Sequence, residues 1–303
     1  MAAAVPGAPV STRWTRFRDA ANRQIFQRGQ AIAPHLSARA IDRVAAAAAY
    51  PAERLDWSHL RTYRENLTRT LGHPPNRSLV RAGIASWLRN FVEVLALQRW
   101  SRERIVGSVT VLGEDRLRAA HADRGAVVAL AHLANWDLAG AWACSTGLPV
   151  STVAENLGAR EFEAYKRIRA HLGMEVLAHD DTGALRRLTR AIGEGRVVCL
   201  LAERDFTRAG IEVDWAGNTV RMPAGPAMIA RTTGAALFGA VTHYVPGGIV
   251  LELTEIEHRP GREGLVAMTQ DLADQFVTGI RAYPQDWHMM QPFFDLPARG
   301  PAR

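Results

Sequence analysis

From Val109 onward, short apolar runs of four to eight residues alternate with longer stretches of helical period, and few folds accommodate that rhythm. The runs are Val109–Leu112, Ala126–Ala131, Val150–Ala154, Glu175–Ala178, Val197–Ala202, Ala236–His243 and Ile249–Leu253. Helical patterns fill Asp137–Thr146, Ala159–Leu172, Thr182–Glu194 and Ala224–Thr233, and Leu265–Tyr283 closes the series. Such alternation implies parallel crossovers, with helices covering the faces of a sheet. Ile249–Leu253 departs from it, because the turn signal Pro246-Gly247-Gly248 makes it an antiparallel hairpin partner. Upstream, helical periodicity covers Arg39–Ala49, Asp56–Leu71 and a stretch from Asn76 or Ser78 to about Arg99. The last of these carries a wide apolar face, Val80, Ile84, Trp87, Phe91 and Leu95 among others, which reads as core. The expected class is α/β: a mixed, mostly parallel central sheet flanked by helices, with a helical N-terminal layer. All 303 residues are assigned to one domain, with 1–11 disordered, 12–99 forming the helical layer and 108–292 the α/β core.

Composition narrows the function classes. No stretch of 18 or more apolar residues exists, so no bilayer-spanning helix is expected. The opening MAAAVPGAPVSTRW lacks the charged-then-apolar order of a signal peptide. Cys144 and Cys199 show neither CxxC nor Cys/His ligand spacing and read as buried small residues of a reducing compartment. The net charge is +7, and Lys166 is the single lysine among 37 cationic side chains. That lysine lies in no glycine-rich loop, which excludes a P-loop NTPase. GxGxxG, GxSxG and HExxH are absent as well. Arginine suits phosphate recognition through its planar donor fork, so anionic lipid, a phosphorylated cofactor and nucleic acid all stay open on charge alone. Residues 12–32 form a basic amphipathic pattern with Trp14, Phe17, Ala21 and Ile25 on one side. It fits a membrane-surface anchor or a helix packed on the domain with a solvated basic face.

His132 ends the run Ala126–Ala131, and Asp137 follows five residues later. Residues five apart on a helix lie about 140° from each other. The two can therefore meet only if His132-Leu133-Ala134-Asn135-Trp136-Asp137 is a turn between strand and helix. Asp137 is then placed either to hold the imidazole's tautomer or to bond free backbone N–H groups at the helix start. A second acidic residue ends an equivalent run: Glu203 follows Val197–Ala202. In open α/β sheets reactive side chains collect at strand ends, so His132 and Glu203 point to one cleft. A histidine held by a carboxylate suits removal of a proton from a hydroxyl.

The segment Ala131-His132-Leu133-Ala134-Asn135-Trp136-Asp137 resembles the HxxxxD motif of glycerolipid and lipid A-type acyltransferases. More narrowly, the chain is similar to the actinobacterial phosphatidylinositol mannoside acyltransferase family. The supporting blocks are Thr152–Glu155, Cys199–Arg208, Arg221–Ala227, Thr233–Phe238 and Pro284–Pro292, in the expected order across most of Gly125 to Pro292. The helical N-terminus agrees only loosely, and Leu133-Ala134 replaces the small or polar pair often found inside the motif. The resemblance implies a peripheral enzyme at the cytoplasmic face of the plasma membrane. It would move a fatty acyl group, palmitoyl by expectation, from acyl-CoA to a mannose 6-hydroxyl on a phosphatidylinositol mannoside. It further implies His132 as general base, Glu203 positioning or polarising it, and Asp137 supporting the turn and the imidazole. Glu155, Arg169, Arg204 and Arg208 are the implied substrate-binding residues. No metal and no cofactor beyond acyl-CoA as substrate are expected. An anionic membrane surface is the expected partner, nucleic acid is not, and the expected state is a monomer. The nearest alternative is a lipid A-type or other glycolipid acyltransferase fed by acyl carrier protein.

Overall fold

The computed structural model describes residues 29, 32–55, 57–154, 159–179, 181–205 and 209–294. The expected disorder of 1–11 and, apart from Gly29 and Ile32, the amphipathic pattern of 12–32 lie outside them, as do Glu155 and Arg208.

Among the described residues, seven strands make a central sheet: β1 (Val109–Leu112), β2 (Ala126–Leu130), β3 (Val150–Ala154), β4 (Glu175–Ala178), β5 (Val197–Leu201), β8 (Ala236–Val245) and β9 (Gly248–Ile256). Their spatial order is β1-β9-β8-β2-β5-β3-β4. All neighbours run parallel except β8 and β9, which form the antiparallel hairpin that the Pro246-Gly247-Gly248 turn implies. A separate antiparallel hairpin, β6 (Ile211–Trp215) with β7 (Asn218–Met222), interrupts the alternation. The sequence reading contains no such element. Its strands alternate, burying Val213, Trp215, Val220 and Met222, and its tight turn holds Ala216 and Gly217 at φ 55° and 82°.

The helices begin with α1 (Ala38–Ala52), α2 (Ser58–Leu71) and α3 (Arg77–Leu97). These correspond to the expected N-terminal layer. Ser37 caps α1 through the Ala40 N–H, and Asn76 caps α3 through the Leu79 N–H at 2.8 Å. α2 packs so closely on α3 that a Cβ on Gly83 would collide with the Tyr63 ring. Then follow α4 (Arg102–Gly107), α5 (Glu114–Arg124), α6 (Trp136–Ser145), α7 (Ala159–His171), α8 (Ala184–Gly193), α9 (Gly225–Thr233) and α10 (Gly261–Ala282).

The central strand β2 explains why its run is apolar throughout. Val127 and Ala129 face one hydrophobic cluster, with side chains of α2, α8, α9 and α10. Ala126, Val128 and Leu130 face another, with the end of α3 and with α4, α5, α6 and α7. A parallel strand covered on both sides has no polar face to show. Both clusters continue past the carboxyl ends of β2 and β5 through Ala131, Leu133, Ala134 and Ala202, and His132 and Glu203 stand among these residues.

Candidate active site

The turn His132–Asp137 leaves β2 at Leu130 and enters α6 at Trp136. It is held from outside rather than by its own residues. The His288 N–H donates to the His132 carbonyl at 2.8 Å, and the Ala134 N–H donates to the Asp286 carbonyl at 2.8 Å. Leu133 and Trp287 thus form an antiparallel bridge, and the Thr242 hydroxyl donates to the Leu133 carbonyl. Ala134 sits at φ 47°, a left-handed conformation that costs an L-residue roughly 1–2 kcal/mol. The fixed neighbours sustain that strain. Asn135 caps α6, its Oδ1 accepting from the Leu138 N–H at 2.9 Å.

β5 lies beside β2 in parallel register, with Leu130 opposite Leu201, and the Ala202 N–H extends the ladder to the Leu130 carbonyl. The residues after each strand end are thereby brought together. Glu203 is fully buried, and its Oε1 accepts from His132 twice, from the backbone N–H and from ring Nδ1, each at 2.6 Å. An ionised carboxylate only accepts, so Nδ1 carries the proton and Nε2 keeps its lone pair. The imidazole is about a quarter exposed, and Trp136 packs edge-on against it at 5.1 Å between ring centres.

Asp137 takes a different place from the one expected. Its Oδ1 and Oδ2 accept from Arg169 Nε and Nη2 of α7 at 2.6 and 3.2 Å, a two-point ion pair that is almost entirely buried. Burial pulls the Arg169 guanidinium's proton affinity down, but Asp137 outweighs it and the net direction is upward. Glu203 therefore holds the imidazole, while Asp137 fastens the start of α6 to α7. Arg169 is correspondingly engaged by Asp137. The phenol of Tyr165 in the same corner is pushed up to about 12, by burial and then by the Asp137 charge.

Two cavities meet this turn. One, of about 380 Å³, is a groove whose walls include Leu60, Ile84, His132, Arg204, His288 and Met290. Trp57 and Trp87 stand on its rim, 52% and 39% exposed. Arg204 donates to Gln291 there. The other is a narrow apolar slot of about 60 Å³. It runs between α6, α7 and the sheet, past Trp136, Ala143, Val150, Met174, Cys199 and Leu201. Burial pushes the Cys199 thiol up to about 12, so it behaves as an apolar wall. His132 thus lines the groove, and Trp136 beside it lines the apolar slot.

His288, within the block Pro284–Pro292, is packed against the turn and lines the groove with His132. The ring is buried, its Nε2 lies 2.9 Å from the Ser86 hydroxyl, and Ser86 donates to Asp286 Oδ1 at 2.7 Å. Burial first, and the neighbouring His132 second, press its proton affinity down to about 3. Missed altogether were Asn135 and the buried Glu93 of α3 that contacts it. A buried charge within an apolar helical pattern was the one available signal.

The profile of the family described as bacterial lipid A biosynthesis acyltransferase matches residues 9–295, and the chain belongs to that family. It is an acyltransferase with a buried carboxylate–imidazole pair at the tip of a mostly parallel sheet. Among individual relatives, it is 40% identical over 239 residues to the phosphatidylinositol mannoside acyltransferase of Mycolicibacterium smegmatis, covering 76% of this chain and 77% of that protein. The proteins of the same name from two Mycobacterium tuberculosis strains are 38% identical over the same length, covering 76% of this chain and 75% of each.

Proposed function

We propose that the chain transfers a fatty acyl group from acyl-CoA to the 6-hydroxyl of a mannose on a phosphatidylinositol mannoside, with His132 as general base. The observation that carries this reading is the Glu203-held imidazole at 2.6 Å on a groove with an arginine, beside Trp136 of a narrow apolar slot. A thioester is already activated, whereas a sugar hydroxyl attacks only as its proton leaves. His132 Nε2 takes that proton while the hydroxyl oxygen bonds to the thioester carbon. The tetrahedral intermediate then expels the thiolate, which recovers the proton from the imidazolium, leaving an ester and free CoA. Glu203 stabilises the imidazolium in between.

The slot suits the acyl chain, being apolar and too narrow to hydrate freely. The groove suits the acceptor, with Arg204 on its wall and Trp57 and Trp87 at its rim. The names of the mycobacterial relatives support the acceptor class. We place the enzyme peripherally on the cytoplasmic face of the membrane. No helix among the described residues is long and apolar enough to cross a bilayer. The exposed Tyr50, Leu55, Trp57 and Trp87, with Arg77 and Arg81 nearby in the chain, compose an amphipathic surface suited to anionic lipid.

The test combines labelled palmitoyl-CoA with mono- or dimannosylated phosphatidylinositol, for wild type and a folded His132→Ala variant. Label on the mannolipid that disappears in the variant is expected. Transfer that survives His132→Ala would remove the histidine from the mechanism. Transfer from acyl carrier protein to a lipid A-type acceptor instead would retain the site and change the substrates.

A further inference from the structure

Glu93 is a carboxylate in the middle of α3, 1% exposed, with no role in the chemistry described above. Its Oε2 accepts from the Asn135 Nδ2 at 2.8 Å and from the Tyr244 hydroxyl at 3.1 Å. Its Oε1 accepts from Arg89 Nε at 2.8 Å. Arg89 in turn reaches Asp42 Oδ1 at 3.2 Å and lies over the Tyr244 ring at 3.9 Å. Three elements converge there: the N-terminal helical layer, strand β8 and the turn that carries His132.

Taking an ionic cluster out of water is costly, and apolar residues of similar volume usually stabilise as well or better. Fold stability is therefore a poor reason for Glu93. Specifying the turn is a better one. Asn135 has two distinguishable ends. The acceptor-only carboxylate can bind just its NH2 group, which forces the carbonyl oxygen onto the Leu138 N–H and fixes the start of α6. The turn contains a strained residue at Ala134, so it needs such external determination. His132 precedes Asn135 by three residues, and nothing else described joins α3 to the turn by a side-chain pair of this kind.

We propose that Glu93 is a positioning residue for the catalytic turn, acting through Asn135 and held ready by Arg89 and Tyr244. The proposal rests on the reading of His132 as the base. It makes the N-terminal helical layer part of the active site's support: α3 supplies the clamp on which the imidazole's placement depends. A displacement of about 1 Å at a reacting group costs on the order of 10²-fold in rate.

Two variants separate positioning from mere structure. Asn135→Ser keeps an N-cap for α6 while cutting the link to Glu93. The triple change Arg89→Met, Glu93→Leu and Tyr244→Phe replaces the cluster by apolar volume. Both are expected to lower kcat roughly 10- to 100-fold with KM little changed. Glu93→Gln, whose amide can present either an oxygen or an NH2 group to Asn135, is expected to give a kcat between those of wild type and Asn135→Ser. Independently of turnover, the His132 ring signals in protein labelled with 15N-histidine, assigned by their loss in His132→Ala, are expected to shift in Asn135→Ser. Wild-type kcat and an unmoved His132 signal in Asn135→Ser would overturn the proposal. So would a triple variant with wild-type kcat. A wild type that transfers no acyl group would refute the functional reading instead, and the His132 signal would still decide whether the clamp exists.

Discussion

Replacing Glu203 by Gln isolates the charge of the carboxylate from its geometry. Both Oε1 contacts, with the His132 N–H and with Nδ1, can be kept by the amide oxygen. The amide nitrogen would occupy the place of Oε2, which is buried and has no hydrogen-bond partner among the described residues, so folding should survive. What disappears is the negative charge beside the imidazolium that the proposed transfer forms. The contact is 2.6 Å, and spreading each charge over its group puts the centres about 4 Å apart. At an effective dielectric of about 20 their attraction is about 4 kcal/mol. Each 1.36 kcal/mol is tenfold in rate, so a fully formed imidazolium would lose about 10³-fold. With the proton partly transferred at the transition state, a fall in kcat of roughly 10²–10³-fold is expected. The assay is the initial rate of ester formation at saturating palmitoyl-CoA, with KM for each substrate measured in parallel. A Glu203→Gln enzyme within threefold of wild type in kcat would refute the electrostatic argument. Glu203 would then be a packing and backbone-holding residue only.

Three further outcomes are expected. Asp137→Asn leaves Arg169 without its counter-charge in an almost dry site, and should cost about 3–5 kcal/mol of stability by urea unfolding. Ala143→Phe projects a ring into the apolar slot, and should shift donor preference from palmitoyl-CoA towards shorter acyl chains in direct competition. For His288, the folded protein binds a proton only near pH 3, whereas an unfolded histidine does so near 6.5. The unfolded state therefore takes the proton first. This contribution leaves stability intact above about pH 6.5 and erodes it as pH falls towards 3, by about 1.4 kcal/mol per unit. His288→Gln should flatten that slope in thermal or urea unfolding across pH 4–7, and an unchanged slope would place the sensitivity elsewhere.

The strands were legible where burial on both faces removed every polar residue, as in β2 and β5, and the hairpin β8–β9 was legible from its turn. The helix α5 was not, because Leu117 is its one fully buried residue and a single side chain makes no stripe. The hairpin β6–β7 carried a readable alternation, but it broke a strand–helix rhythm that dominated its surroundings. In the site, strand ends identified His132 and Glu203 as neighbours, since sheet topology converts separate runs into adjacent tips. Spacing along the chain could not reveal that Asp137 belongs to Arg169, because that partner arrives from another helix 32 residues away. Nor could it reveal Glu93, whose meaning depends on Asn135 and Tyr244 approaching from two other elements.

The pairing of β2 with β5 has a consequence for how such enzymes diversify. His132 and Glu203 are 71 positions apart in the chain, yet their separation is governed by one inter-strand step of about 4.8 Å. Between them, β3 and β4 form a lobe on the far side of β5, and Val150, Thr152, Val153, Arg169 and Met174 of that stretch line the apolar slot. Lengthening or reshaping that lobe changes the slot without changing the ladder. A one-residue slip of the ladder would instead move one partner by about 3.3 Å and abolish the pair. On the proposed reading the chemistry is fixed in discrete steps while the slot can be retuned continuously, so new acyl specificities should be sought in slot-lining residues such as Gly140, Ala143, Val150, Thr152 and Met174 and not at His132 and Glu203.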